Sequence, residues 1–158
     1  MKKLIAALIA LIAPLLLSNC GNTSAPSNAD INAIASSGGS MPSLINQLRT
    51  QKGLNTLRVD SQLSQVAKTH ALDMARTGKF SHTGSDGSSY FKRLADAGVS
   101  NESVKTATEN IGNGSSDPAL IFPAWVKSSH HRRNATQPNH TRMGVAEASG
   151  FWCVLFAE

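Results

Sequence analysis

Cysteine is almost absent from this chain: 158 residues hold only Cys20 and Cys153. Cys20 ends an N-terminal apolar leader, so once it is processed Cys153 has no partner within the domain. That excludes a small secreted fold stapled by disulfides. Cys153 lies among Phe151, Trp152, Val154 and Leu155, which reads as a buried structural thiol, not a nucleophile. The chain lacks a His-Glu-x-x-His zinc-protease motif and a Gly-x-Ser-x-Gly nucleophile elbow. Basic residues are scattered apart from Arg132-Arg133, and aromatic and basic residues do not interleave, so no nucleic-acid partner is expected. The apolar leader falls short of the about 20 residues that a membrane-spanning helix takes.

That leader is informative in its own right. Met1-Lys2-Lys3 is a short positive segment, and Leu4 to Leu17 is an unbroken apolar run containing Pro14. The combination is that of a secretory signal. Leu17-Ser18-Asn19-Cys20 then resembles the bacterial lipobox, in which the cysteine is acylated and becomes the first mature residue. Asn19 departs from the pattern, since Gly, Ala or Ser is usual there. The expectation is a signal peptide over 1–19, lipidation at Cys20 and an extracytoplasmic chain anchored to the cell envelope, with plain secretion as the alternative. Gly21, not Asp, follows the cysteine, so nothing argues for inner-membrane retention. The formal charge of +5 falls to a mature surplus of three once Lys2 and Lys3 are removed.

From Gly21 to about Ser40 the chain is rich in Ser, Asn, Gly and Ala, with Pro26 and Gly38-Gly39. Such a stretch buries too little apolar surface to offset chain entropy. Residues 20–40 therefore read as a tether, with at most a helical turn at Ile31, Ala33 and Ile34. A flexible stretch of that length reaches about 25 Å.

The folded domain is expected over 41–158. Leu44, Ile45 and Leu48 recur at helical spacing. Asp60-Ser61 caps a clearer stripe of Leu63, Val66, Ala67, His70, Ala71, Met74 and Ala75, which Gly78 ends. His70, within that stripe, reads as a hydrogen-bonded core residue. Ser88 or Ser89 starts a short helix through Tyr90, Phe91, Leu94 and Ala97. Ser103 to Thr108 is a weakly patterned strand. Asp117 and Pro118 open a further helix. Pro123 is expected to kink it or delay its start to Phe122. Met143 to Ala148, Ser149-Gly150 and Phe151 to Phe156 form a hairpin, whose second strand is apolar throughout and so is covered on both faces. The fold class is α+β: a three-layer α-β-α sandwich with a small antiparallel central sheet.

The chemistry gathers between Thr108 and Asn134. Glu109-Asn110-Ile111-Gly112 opens this stretch and Ser129-His130-His131-Arg132 closes it. Upstream, Phe80-Ser81-His82-Thr83-Gly84 adds another histidine. Two histidines and a glutamate from three places suggest one shared cavity.

Further elements share this order and spacing. They are Ala67, His70, Ala71, Asp73 and Met74; Asp86-Gly87-Ser88; Trp125 six residues before His131; Asn134; Pro138-Asn139; and Met143-Gly144-Val145. From about Asn46 to its end the chain resembles the CAP superfamily, also called the SCP-like domain, in its compact bacterial form. The resemblance implies an α-β-α sandwich with a central cleft. Members place two histidines and two acidic residues there, and some hold a divalent metal. Position by position, His82 matches the first histidine, Glu109 the glutamate and His131 the second histidine. Asn110, Ser128, His130, Arg132 and Asn134 would support the cleft. The second acidic residue would fall near Ser128 and is missing. His130 stands where small residues are common, and His140 replaces an aromatic residue.

His82, Glu109 and His131 are donors of the kind that hold Zn2+ at about 2.0–2.2 Å, with a position left for water. A metal would lower that water's pKa and make it a nucleophile. This pictures a metal-dependent hydrolase of an envelope or extracellular substrate, but no second carboxylate is present to act as base. A metal-free acid/base pair of His82 and Glu109, a serine enzyme using Ser81 or Ser128, and simple pinning of three loops by polar pairs are further readings. The leading expectation is a ligand-binding or interaction module. Relatives outside bacteria bind sterols and other lipids, so the resemblance implies a small apolar or lipid ligand.

Overall fold

The computed structural model describes residues 24–99 and 106–158. In chain order these form α1 (Asn28–Ser36), α2 (Met41–Gln51), β1 (Arg58–Val59), α3 (Ser61–Thr77), α4 (Tyr90–Asp96), β2 (Ala107–Asn113), α5 (Pro118–Lys127), α6 (Ser129–Ala135), β3 (Arg142–Ala148) and β4 (Phe151–Ala157). The sheet order is β1-β3-β4-β2. β4 pairs antiparallel with β3 on one side and β2 on the other, and the two-residue β1 adds a parallel edge beside β3. The hairpin closes through Ser149 at φ 49° and Gly150 at φ 82°. Positive φ at both central residues matches the twist of the paired strands.

β4 shows why the sheet is the middle layer. Trp152, Val154 and Phe156 join one core cluster with Ile31, Ile34, Leu44, Leu48, Phe122 and Trp125. The alternate residues Cys153, Leu155 and Ala157 join a second cluster with Leu63, Val66, Ala67, Ala71 and Leu94. Strand side chains alternate between faces, so one run of apolar residues serves α1, α2 and α5 on one side and α3 and α4 on the other. Two glycines permit close approach of the layers. A Cβ at Gly144 would overlap the Leu63 carbonyl carbon and the Ser64 nitrogen of α3. A Cβ at Gly112 would lie 2.9 Å from Ile121 Cγ2 on the opposite side.

One expectation is corrected and two are narrowed. The segment 28–36 is a docked helix and not tether: Ser27 and Asp30 form a reciprocal capping box, and Ile31 and Ile34 are 2% and 1% exposed. Composition hid this, because two isoleucines three apart suffice once a cap starts the helix. The expected strand at Ser103 to Thr108 falls largely outside the described residues. The observed β2 starts at Ala107 and carries Glu109 to Gly112 on the strand itself. α5 begins at Pro118 and continues through Pro123. Burial of Ile121, Phe122, Trp125 and Val126 offsets the one backbone bond that proline removes.

Ile34→Ala is expected to lower stability by about 2–5 kcal/mol, the range for truncating a buried isoleucine. Urea unfolding checks it. An unchanged midpoint would mean that the segment before Met41 does not contribute to the core.

Candidate functional site

The site grows from the alternation of β2. Ala107 and Ile111 belong to the core beneath α3 and α4, and Glu109 lies between them on the same face. Asn110 points the opposite way, toward α6. Adjacent residues of one strand thus fasten loops on both sides of the sheet.

Glu109 has a side chain only 1% exposed. Its Oε1 accepts a hydrogen bond from His82 Nδ1 at 2.8 Å, and its Oε2 accepts one from Arg93 Nη2 at 2.7 Å. Cys153 Sγ lies 3.5 Å from Oε2. Burial alone would raise this carboxyl. The His82 hydrogen bond and the charges of Arg93 and His70 outweigh it and hold Glu109 below the usual range. Arg93 also donates to the carbonyls of His82 and Ser88, so it clamps the 82–88 loop. Asp73 of α3 secures the same loop through Ser85, whose hydrogen bonds hold the Asp73 carboxyl at about 2.

On the other face, Asn110 Nδ2 donates to the His131 carbonyl at 3.0 Å. Asn134 Nδ2 donates to Asn110 Oδ1 at 2.9 Å and to the Glu109 carbonyl at 3.1 Å. Ser128 caps α6, accepting from the His131 amide. Arg132 Nη1 donates to the Val126 carbonyl at 2.6 Å. His140 is buried and stacks on Phe156, with ring centroids 5.8 Å apart. Its Nδ1 must donate to the Asn134 carbonyl, since a carbonyl only accepts. Burial pulls His140 down to about 4.

His82, Glu109, His131, His130 and Asn134 line one cleft of about 350 Å³, together with Tyr90 and Thr108. Asn110 stands behind it, and Ser128 and Arg132 hold helix ends without lining it. Arg93, Tyr90 and Thr108 were not singled out from the sequence. Tyr90, Arg93 and Leu94 fall at i, i+3 and i+4 of α4, and that inward stripe was the available signal. His131 sits below the ordinary histidine value through burial first, then the neighbouring His82 and His130.

The donors do not fit a zinc centre as arranged. Both Glu109 oxygens are engaged, one of them by a guanidinium that a cation would have to displace. Among the described residues no three His, Cys, Asp or Glu side chains converge as a cage. Ser81 Oγ accepts from the Thr83 amide and Ser128 Oγ from the His131 amide, and among the described residues no hydrogen bond joins either hydroxyl to an imidazole. Glu109, held ionised and fully hydrogen-bonded, is a poor general base. The loop-pinning pairs expected from the sequence are present.

Arg93→Met would leave the buried Glu109 carboxylate with one partner fewer. The expected cost is about 3–5 kcal/mol near neutral pH, as for other broken buried pairs. Without Arg93, Glu109 loses two of the interactions that lower its folded-state pKa, so that pKa rises above the value it has in the unsubstituted fold. The folded variant then takes up its proton at higher pH than the unsubstituted protein, so its deficit narrows as pH falls through the carboxyl range. Urea unfolding of both chains across pH checks this, and a deficit independent of pH would refute it.

Comparison with known proteins agrees with this architecture. The chain is 35% identical over 115 residues to the uncharacterized Bacillus subtilis protein YkwD, covering 72% of this chain and 44% of that one. An extracellular SCP-domain protein of Bacillus anthracis superposes with a TM-score of 0.70 at 29% identity, over 75% of this chain and 39% of that chain. The chain thus spans less than half the length of either. An outer surface protein of Borrelia burgdorferi shares the fold at a TM-score of 0.63 and 21% identity, over 84% of this chain and 95% of that one. The model of the cysteine-rich secretory protein family matches residues 43–151, and the chain belongs to that family, the CAP family.

Proposed function

We propose that this chain is an extracytoplasmic CAP module, anchored through a lipid on Cys20, that binds a small lipid-like ligand in its cleft without turning it over. One observation carries the reading: both oxygens of Glu109 are taken by His82 and Arg93, so this carboxylate offers neither a free base nor an open metal position, while the cleft keeps hydrogen-bonding groups. His131 is neutral at neutral pH, and an uncharged imidazole offers both a donor and an acceptor to a polar headgroup. Thr108 Oγ1 is buried at the same cleft without a partner among the described residues. Phe91, 55% exposed, lies with its ring centroid 4.2 Å from that of the cleft residue Tyr90 and would meet an apolar part of such a ligand. The extracellular setting of the Bacillus anthracis relative supports the location. Among the described residues no helix is long and apolar enough to cross a membrane.

Trp125 supplies a probe, because its ring centroid lies 6.2 Å from that of His131. Titration with a single-chain phospholipid such as lysophosphatidylglycerol, below its micelle concentration, is expected to change tryptophan emission saturably. His131→Ala should weaken binding by about tenfold, the loss of one hydrogen bond of roughly 1.4 kcal/mol. No saturable change, or equal affinity in the variant, would refute the reading. Calorimetric zinc titration stands beside it: stoichiometric binding lost in both His82→Ala and His131→Ala would favour the metal-dependent hydrolase instead.

The anchor is tested separately. Cys20→Ala is expected to move the chain from the membrane fraction to the soluble fraction. Retention at the membrane would overturn acylation at Cys20.

A further inference from the structure

The docking of α1 changes how far the domain stands from its anchor. Lys52 Nζ, just past the end of α2, donates to the Ser24 carbonyl at 2.7 Å. Ser24 is thereby fixed to the body of the domain, four residues after Cys20. Four residues span at most about 14 Å even when fully extended. That is about half the reach of a free tether over 20–40. The side of the domain at Lys52 therefore lies close to whatever surface holds Cys20.

That side is basic. Arg49, in the last turn of α2, donates to the carbonyls of Ala135 and Gln137 and so ties the end of α2 to the end of α6. Arg132 of α6 donates to the carbonyls of Val126 and Lys127 at the end of α5. Three helix ends meet there, and α2, α5 and α6 contain no acidic residue within their bounds. Lys127 and Arg133 are exposed, Lys52 and Arg132 half-exposed. Lys52 and Arg132 are near enough for their charges to interact. Among the described residues Asp30 is the acidic residue beside Lys52; its carboxylate caps α1 and subtracts one charge from the patch. Asp117 sits at the far end of α5. Lys52 and Arg132 also bond backbone carbonyls, and the exposed Lys127 and Arg133 add their charges beside them, where the chain leaves for Cys20.

We propose that the face formed by α6 and the C-terminal ends of α2 and α5 rests on anionic lipid headgroups, held there by the four-residue leash from an acylated Cys20. This rests on the lipid-anchor reading above. A short covalent leash makes contact between patch and headgroups intramolecular, within a distance comparable to the about 8 Å over which salt screens charge. Each lysine or arginine near an anionic surface contributes about 1 kcal/mol, close to a fivefold change in the population in contact. α6 carries His130 and His131, so one wall of the cleft belongs to the face that meets the headgroups.

The test uses the mature lipoprotein reconstituted into vesicles. Nitroxide labels are placed at Ser129→Cys in α6 or Thr69→Cys in α3, both exposed positions; Cys153 is buried and does not take the label. Vesicles contain a nickel-chelating lipid and either phosphatidylglycerol in phosphatidylcholine or phosphatidylcholine alone. The expected result is relaxation several-fold faster at 129 than at 69, present only with phosphatidylglycerol and weakened by salt. The double variant Lys127→Gln, Arg133→Gln, which leaves the Lys52 bond to Ser24 in place, should reduce it. Equal relaxation at both sites, or a difference indifferent to phosphatidylglycerol, overturns the proposal. A difference that grows with protein density in the vesicle makes the face a contact between copies and also overturns it. Mass analysis of the mature N-terminal peptide separates the two readings: an unacylated Cys20 removes the anchor and with it the leash, whereas an acylated Cys20 with no orientation removes only the headgroup contact.

Discussion

The carboxylate of Glu109 is the fixed point of this molecule. It is buried on the central strand layer, and a buried charge is tolerable only when its oxygens are occupied. Arg93 and His82 occupy them, and in doing so bring α4 and the loop before it against β2. The next residue, Asn110, does the same for α6 on the other face. Removing the charge would therefore loosen the α4 side of the cleft, while Asn110 keeps its hold on α6. The polar cluster is structural first.

Much of the fold was readable because it follows from periodicity. The unbroken apolar run of β4 implied two covered faces, and the stripe on α3 implied a buried helix. Ser149-Gly150 implied the tight hairpin. The histidines and glutamate from three places suggested a shared cavity, but only the resemblance matched His82, Glu109 and His131 to positions in it: no spacing rule joins them, and they meet because the sheet brings distant loops together. Arg93 and Arg49 stayed hidden for a different reason. An arginine on a short helix looks like a solvated residue, yet Arg49 is fully buried and its guanidinium donates to the carbonyls of Asn55, Ala135, Gln137 and His140. Local sequence does not reveal that a loop far along the chain will offer those carbonyls. α1 was missed because composition averages over position, while one cap and two isoleucines act at specific positions.

The same loop holds the clearest acid-sensitive group. His140 is kept neutral by burial, with Arg49 adding to the effect, down to about 4. An unfolded histidine titrates near about 6.5. Between those values the unfolded chain takes up a proton that the folded chain refuses, so stability rises with pH across that window. His140 bonds the backbone of Asn134, which lines the cleft, so the α6 wall is the part of the site that acid strains first.

Cys153 carries a last consequence. Burial pushes its thiol well above the ordinary value, and the Glu109 carboxylate beside it adds to the shift. Oxidation and disulfide exchange both proceed through the thiolate, which this position all but eliminates. A chain exported across a membrane usually meets an oxidising compartment and enlists its oxidants to finish folding. This domain has no such step to complete. Its architecture is indifferent to redox poise and would assemble in the same way with or without oxygen.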